Sequence, residues 1–124
     1  MMKQLFLVFI GGGTGSIARY LLSKVWNTST TGIPYGTFTA NILGSLIIGL
    51  ILGWAIKNNT LSSNTTLLLA TGFCGGFTTF STFAYENHNF IKSGDLMQFA
   101  IYAIASFVVG ILAVFGGMWI VKMT

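Results

Sequence analysis

The chain has 124 residues, of which 53% are hydrophobic and 6% charged, with a formal net charge of +4. So little charge cannot keep a compact domain dispersed in water, which excludes an ordinary soluble protein. The six basic residues stand singly with no patch or stripe, so the positive balance does not indicate a nucleic-acid partner.

Four apolar stretches, each close to the roughly 20 residues needed to cross a bilayer, are predicted as transmembrane helices. They run from Leu5 to Leu22, Tyr35 to Ile56, Leu67 to Tyr85 and Leu96 to Val121, and residues 1–124 read as a single all-α membrane domain. The start of the first, Met1-Met2-Lys3 and then Gln4 to Ile10, also resembles a secretory signal. Against that, apolar character resumes past the glycines and Arg19 instead of ending at a small-residue cleavage site. A polar segment, Asn27-Thr28-Ser29-Thr30-Thr31-Gly32, leads to the second span, which carries Asn41 and, one turn later, Ser45. After Lys57-Asn58-Asn59-Thr60 comes the third span, with Gly75-Gly76 at its middle and then Phe77-Thr78-Thr79-Phe80-Ser81-Thr82-Phe83. Glycines expose backbone and hydroxyls compete for backbone bonds, so this helix is expected to break near Gly75 to Thr79. Bare carbonyls of a broken helix are good ligands for a small hard cation. The fourth span carries Tyr102 and Ser106. Tyr20, Trp26, Tyr35, Trp54, Tyr85 and Trp119 fall near the predicted ends, where amphipathic rings settle at the lipid-water boundary.

With four crossings, Lys3, Lys57 and Lys122 share one side of the membrane, while Lys24, Lys92 and Arg19 lie toward the other. Orientation follows an excess of Lys and Arg in the cytoplasmic loops, and an even split supplies none. A chain able to insert both ways up can pair antiparallel with itself. Gly11 and Gly15, Gly49 and Gly53, and Gly72 and Gly76 each stand four apart, as packing glycines do. Taken singly they fit contacts within the chain; beside the balanced charge they favour a homodimer. Cys74 permits no intrachain disulfide and reads as a small buried residue. The Asn-x-Ser/Thr triplets at Asn27, Asn58 and Asn64 read as polar loop residues.

Glu86 and Asp95 flank the last loop, and no Asp or Glu lies inside spans one, two or four. Proton-coupled exporters and most cation pathways use an intramembrane carboxylate, so this distribution argues against both. The interior polar groups that remain are neutral donors: Asn41, Ser45, Thr78, Thr79, Ser81, Thr82, Tyr102 and Ser106. Such a lining suits an anion. Phe80 and Phe83 share a helical face, where they either pack in the core or turn positive ring edges toward a dehydrated anion. Asn41 either bonds helix to helix or faces the ion, and Arg19 either snorkels to headgroups or sets up a positive vestibule.

Three segments together, Gly11 to Tyr20, Gly36 to Ser45 and Gly72 to Phe83, resemble the fluoride channels of the CrcB, or Fluc, family in motif and order. The resemblance implies an antiparallel, dual-topology homodimer in the bacterial inner membrane, a passive channel and not an enzyme. Two pores per dimer would let fluoride leave the cytoplasm. By motif, Asn41, Phe80 and Phe83 fall on the pore lining, with Thr79, Ser81 and Thr82 in the hydroxyl-bearing stretch and Tyr102 and Ser106 on the fourth helix. Gly110, one turn after Ser106, supplies no second hydroxyl. Arg19 falls at the pore mouth. The carbonyls of Gly75 and Thr78 fall on a central structural sodium site shared with the second copy. Two other readings compete: a small dual-topology proton-coupled exporter of the multidrug kind, and a non-conducting assembly subunit. The first needs an ionisable coupling residue in the first helix, and none is there.

Overall fold

The computed structural model describes residues 1–27 and 32–124, so most of the first polar segment, residues 28–31, lies outside the described residues. Among the described residues every regular element is helical, and four helical stretches are long and apolar enough to cross a membrane. They are α1 (Met2–Trp26), α2 (Tyr35–Lys57), a third span made of two half-helices, and α5 (Leu96–Met123). The third span comprises α3, residues 64–77, and α4 (Phe80–Lys92). Within α3 the winding changes from α over Asn64–Thr66 to the wider π form over Leu67–Cys74, then back to α over Gly75–Phe77.

The third span outruns the sequence expectation at both ends, covering Asn64–Lys92 where hydropathy predicted Leu67 to Tyr85. Its start is fixed by Ser63, whose side chain accepts from the Thr66 N–H at 3.1 Å. At the far end the polar residues after Tyr85 stay helical because the bundle gives them partners; Glu86, for instance, accepts from the hydroxyls of Thr37 and Tyr102 on neighbouring helices. Tyr85 therefore lies inside the helix rather than at its edge. Gly94, at φ +80°, makes the turn that ends this arm, a conformation a side chain resists. Asp95 then caps α5 by accepting from the Gln98 N–H.

The break in the third span falls at Thr78 and Thr79, not at the glycine pair. Gly75 is helical at φ −61°, ψ −38°, whereas Thr78 (φ −88°, ψ 158°) and Thr79 (φ −150°, ψ 124°) are extended. β-branched, hydroxyl-bearing side chains favour that conformation, and both hydroxyls take helix-end bonds: Thr78 donates to the Cys74 carbonyl at 2.8 Å, and Thr79 accepts from the Thr82 N–H at 3.3 Å.

The glycines serve close packing instead. A Cβ on Gly76 would strike the carbonyl of Gly12, one on Gly72 would stand 3.0 Å from the Gly11 Cα, and ones on Gly11 and Gly15 would strike the backbone at Leu68 and Phe73. One seam thus joins α1 to α3. A second joins α2 to α5, where Gly49 meets the Val114 carbonyl and a Cβ on Gly117 would lie 2.7 Å from the Leu50 nitrogen. Gly53 meets Met118 in the same seam. All three glycine pairs noted in the sequence are used inside the chain, so they offer no argument for a partner. Backbone approach of this kind is how helices associate in lipid, where apolar side chains gain little by leaving the surroundings. The outer surface is correspondingly apolar, with Phe9, Ile17, Phe107, Leu112 and Phe115 all exposed.

Candidate functional site

Asn41, on α2, bridges the break. Its side-chain oxygen accepts the Thr79 N–H at 2.7 Å, and its side-chain nitrogen donates to the Thr79 carbonyl at 3.1 Å. The amide therefore replaces, in one residue, both halves of the backbone pairing that the extended turn gives up. One N–H of the amide is left over.

The consequence reaches two carbonyls. In an unbroken helix the Thr79 N–H would go to Gly75 and the Thr82 N–H to Thr78; here they go to Asn41 and to the Thr79 hydroxyl. The carbonyls of Gly75 and Thr78 are thus released from helical bonding. Of the two carbonyls between them in sequence, that of Gly76 is taken: it accepts from Arg19 Nε at 3.0 Å and from Ser16 at 3.4 Å. A guanidinium at the C-terminal end of α3 also offsets the partial negative charge of that end. Arg19 is held by the break, half-buried, and does not simply reach for headgroups.

Beside the break lies an open pocket of about 500 Å³. Asn41 and Ser45 line it from α2, Thr71 and Gly75 from α3, Thr78 and Thr79 from the break, Phe80 and Phe83 from α4, and Ser106 and Phe107 from α5. The two phenylalanines, 5.9 Å apart and tilted by 50°, differ in support. Phe83 is 7% exposed and packs on Tyr102 and edge-on to Phe107, while Phe80 is 70% exposed. Ser45 donates to the Asn41 carbonyl at 2.7 Å. The Ser106 hydroxyl is buried with no hydrogen-bond partner among the described residues.

The remaining expected site residues lie around this pocket, not in its wall. Ser81 faces outward, 3.5 Å from the Thr79 hydroxyl, and Thr82 contributes its backbone to the cap. Tyr102 stands behind Phe83 and donates to Glu86 at 2.7 Å. Glu86 corrects the sequence reading, which set it beside a loop. It is half-buried inside α4, and its second oxygen takes the Thr37 hydroxyl at 2.7 Å. Thr37 in turn accepts from Asn27 at 2.9 Å, and Asn27 accepts the Gly36 N–H. A carboxylate does therefore sit within the bundle, and the argument from its absence falls. The missed signal was helical spacing past Tyr85: Phe83, Glu86 and Phe90 continue one face. Cys74 is buried, as expected of a small packing residue.

Among the described residues no cluster of three His, Cys, Asp or Glu could hold a metal ion. A family model described as CrcB-like protein, Camphor Resistance (CrcB), matches residues 6–118. The chain belongs to the CrcB family. CrcB relatives align along nearly the whole of it. One from Gloeothece citriformis is 48% identical over 122 residues, 98% of either chain. A second, from Phocaeicola vulgatus, is 46% identical over 95% of this chain and 98% of its own. A third, from Chlorobaculum tepidum, is 42% identical over 99% and 98%. All three are named fluoride-specific ion channel FluC.

Proposed function

We propose that the chain is a passive, fluoride-selective channel, not an enzyme, that lets fluoride out of a bacterial cytoplasm through the inner membrane. The observation that carries this reading is the full-length match to relatives named fluoride-specific channels, joined to a helix break whose wall offers neutral donors and ring edges. Asn41, Phe80, Phe83, Thr79 and Ser106 form the anion path, with Ser81, Thr82 and Tyr102 along its continuation and Arg19 near its mouth. The spare amide N–H of Asn41, the unpartnered Ser106 hydroxyl and the positive ring edges replace part of the ion's water. An inside-negative potential drives an anion outward by about 2.3 kcal/mol per 100 mV, so no coupling to another gradient is needed.

The channel works as an antiparallel homodimer with two pores. The even split of basic residues and the open face at Gly75, where an added Cβ would meet nothing within 4 Å, support a second copy at that face. The released carbonyls of Gly75 and Thr78 suit a small hard cation, and the same pair from the second copy would complete the shell of a structural sodium ion. Bound there, the ion would supply positive charge that holds the two breaks together.

Two variants test this arrangement. Gly75→Leu is expected to leave the helical content of the chain unchanged and to abolish dimerisation and fluoride flux, read by circular dichroism, crosslinking and a fluoride electrode. A conducting dimer of that variant would remove the partner from this face. Phe80→Ile is expected to cut flux at least about tenfold with thermal stability unchanged, since substitutions at exposed sites usually stay within about 0.5 kcal/mol. Full flux would take the ring edge out of the path.

The half-buried Glu86 favours one rival, proton-coupled export. Purified protein in vesicles separates the readings. A channel passes fluoride down its electrical gradient at a rate set by a potassium-valinomycin potential, with no proton movement. Efflux that occurs only in exchange for protons would replace the channel with an exporter, and no flux at all would leave an assembly subunit.

A further inference from the structure

Where α2 and α5 end side by side, a groove of about 490 Å³ lies open on the outer surface, away from the break. Its walls are apolar, formed by Gly53 and Ile56 from α2 and by Phe115, Met118 and Trp119 from α5. Its rim carries two cations, Lys57 and Lys122, each in the last turn of its helix. Gly53 makes the floor: a Cβ there would come within 3.1 Å of the Met118 Cα, so the helices touch below the groove.

We propose that this groove binds one anionic phospholipid, with an acyl chain along the apolar wall and the headgroup phosphate between Lys57 and Lys122. Several observations select that occupant. Both lysines and the exposed indoles of Trp54 and Trp119 stand at the end of membrane-spanning helices, at headgroup depth. The slot changes from apolar to cationic along its length, as an anionic amphiphile does. The two parallel helix C-termini meeting here present partial negative charge, and Lys57 already donates to the Val121 carbonyl at 3.3 Å. That bond uses one of three ammonium N–H donors and holds the side chain over the groove, leaving two for phosphate oxygens. Lys122 is exposed.

The test is native mass spectrometry of the intact protein with dioleoyl phosphatidylglycerol or dioleoyl phosphatidylcholine at equal concentration. Wild type is expected to retain phosphatidylglycerol about tenfold more than phosphatidylcholine, the scale of one to two surface lysines. Lys57→Gln/Lys122→Gln is expected to bring the two lipids to parity, while Lys24→Gln/Lys92→Gln, at the opposite end of the bundle, keeps the preference. In a Trp26→Phe/Trp54→Phe background, brominated phosphatidylglycerol is expected to quench Trp119 more than the brominated phosphatidylcholine does. Equal retention of the two lipids by wild type, or equal loss of preference in both lysine pairs, would overturn the site. So would exclusion of both lipids from the groove on dimerisation, which would mean that a second copy fills it. None of these readouts depends on fluoride conduction, so the site and the channel reading stand or fall separately.

Discussion

Asn41→Asp is expected to reduce fluoride flux by about three orders of magnitude in vesicles while the helices still form. The substitution keeps the acceptor for the Thr79 N–H and removes the donor to the Thr79 carbonyl, so two oxygens face each other where a hydrogen bond stood at 3.1 Å. Leaving that carbonyl unpaired costs about 1 to 3 kcal/mol. The new negative charge acts on the permeating anion as well, by about 4 kcal/mol for unit charges ~4 Å apart in an environment of effective dielectric ~20. Each 1.4 kcal/mol is about a factor of ten in rate, so the charge alone accounts for the expected loss. Acidifying the solution on both sides neutralises the carboxylate and restores an O–H donor, and flux is expected to rise as pH falls, opposite to a base-driven process. A fluoride electrode reads both. A variant that conducts like wild type at neutral pH would remove Asn41 from the path and leave it only as the support of the break.

Gly76→Leu is expected to prevent the bundle from forming at all. Gly76 lies against Gly12, with backbone so close that even a Cβ would meet the Gly12 carbonyl and stand 3.0 Å from its Cα. Backbone cannot move aside as the tip of a side chain can, so α1 and α3 must separate. Overpacking typically costs about 1 to 3 kcal/mol, occasionally more, and here it also breaks the bonds from Ser16 and Arg19 to the Gly76 carbonyl. A hydrogen bond from a charged group such as the Arg19 guanidinium contributes about 1.5 to 3 kcal/mol, and a neutral one such as that from Ser16 about 0.5 to 1.5 kcal/mol. The expected readout is loss of monodisperse protein in detergent and of thermal unfolding cooperativity. The comparison with Gly75→Leu is informative because the two neighbours differ in surroundings: Gly76 faces the chain's own backbone and Gly75 faces open space. If Gly76→Leu instead gave a folded chain, the seam between α1 and α3 would not be what holds the first half of the bundle.

Composition and hydropathy were sufficient for the class and the number of crossings, because a bilayer demands apolar stretches of a set length and the chain has room for four. The extent of the third span was not legible. Past Tyr85 the sequence turns polar, and polarity reads as loop when no partner is visible; only the folded bundle brings Tyr102 and Thr37 to Glu86 and makes a helix there affordable. The break lies inside the expected stretch from Gly75 to Thr79, at its threonine end, and which of those residues leave the helix was not legible for a related reason. Glycine is permissive of a break and equally permissive of close contact, and the sequence does not say which use is made of it.

What the sequence determined by itself was a helical membrane protein with its polar chemistry concentrated around Asn41 and the Thr78 to Phe83 segment, since residue type and spacing alone decide where donors and rings can stand on a helix. What the tertiary structure decided was which backbone groups are free. Asn41 is 38 residues from Thr79, and no local pattern predicts that its amide pairs with both the N–H and the carbonyl of that residue. Once it does, the carbonyls of Gly75 and Thr78 lose their helical donors, a long-range consequence of the rule that each backbone N–H satisfies its acceptor only where packing brings the two together.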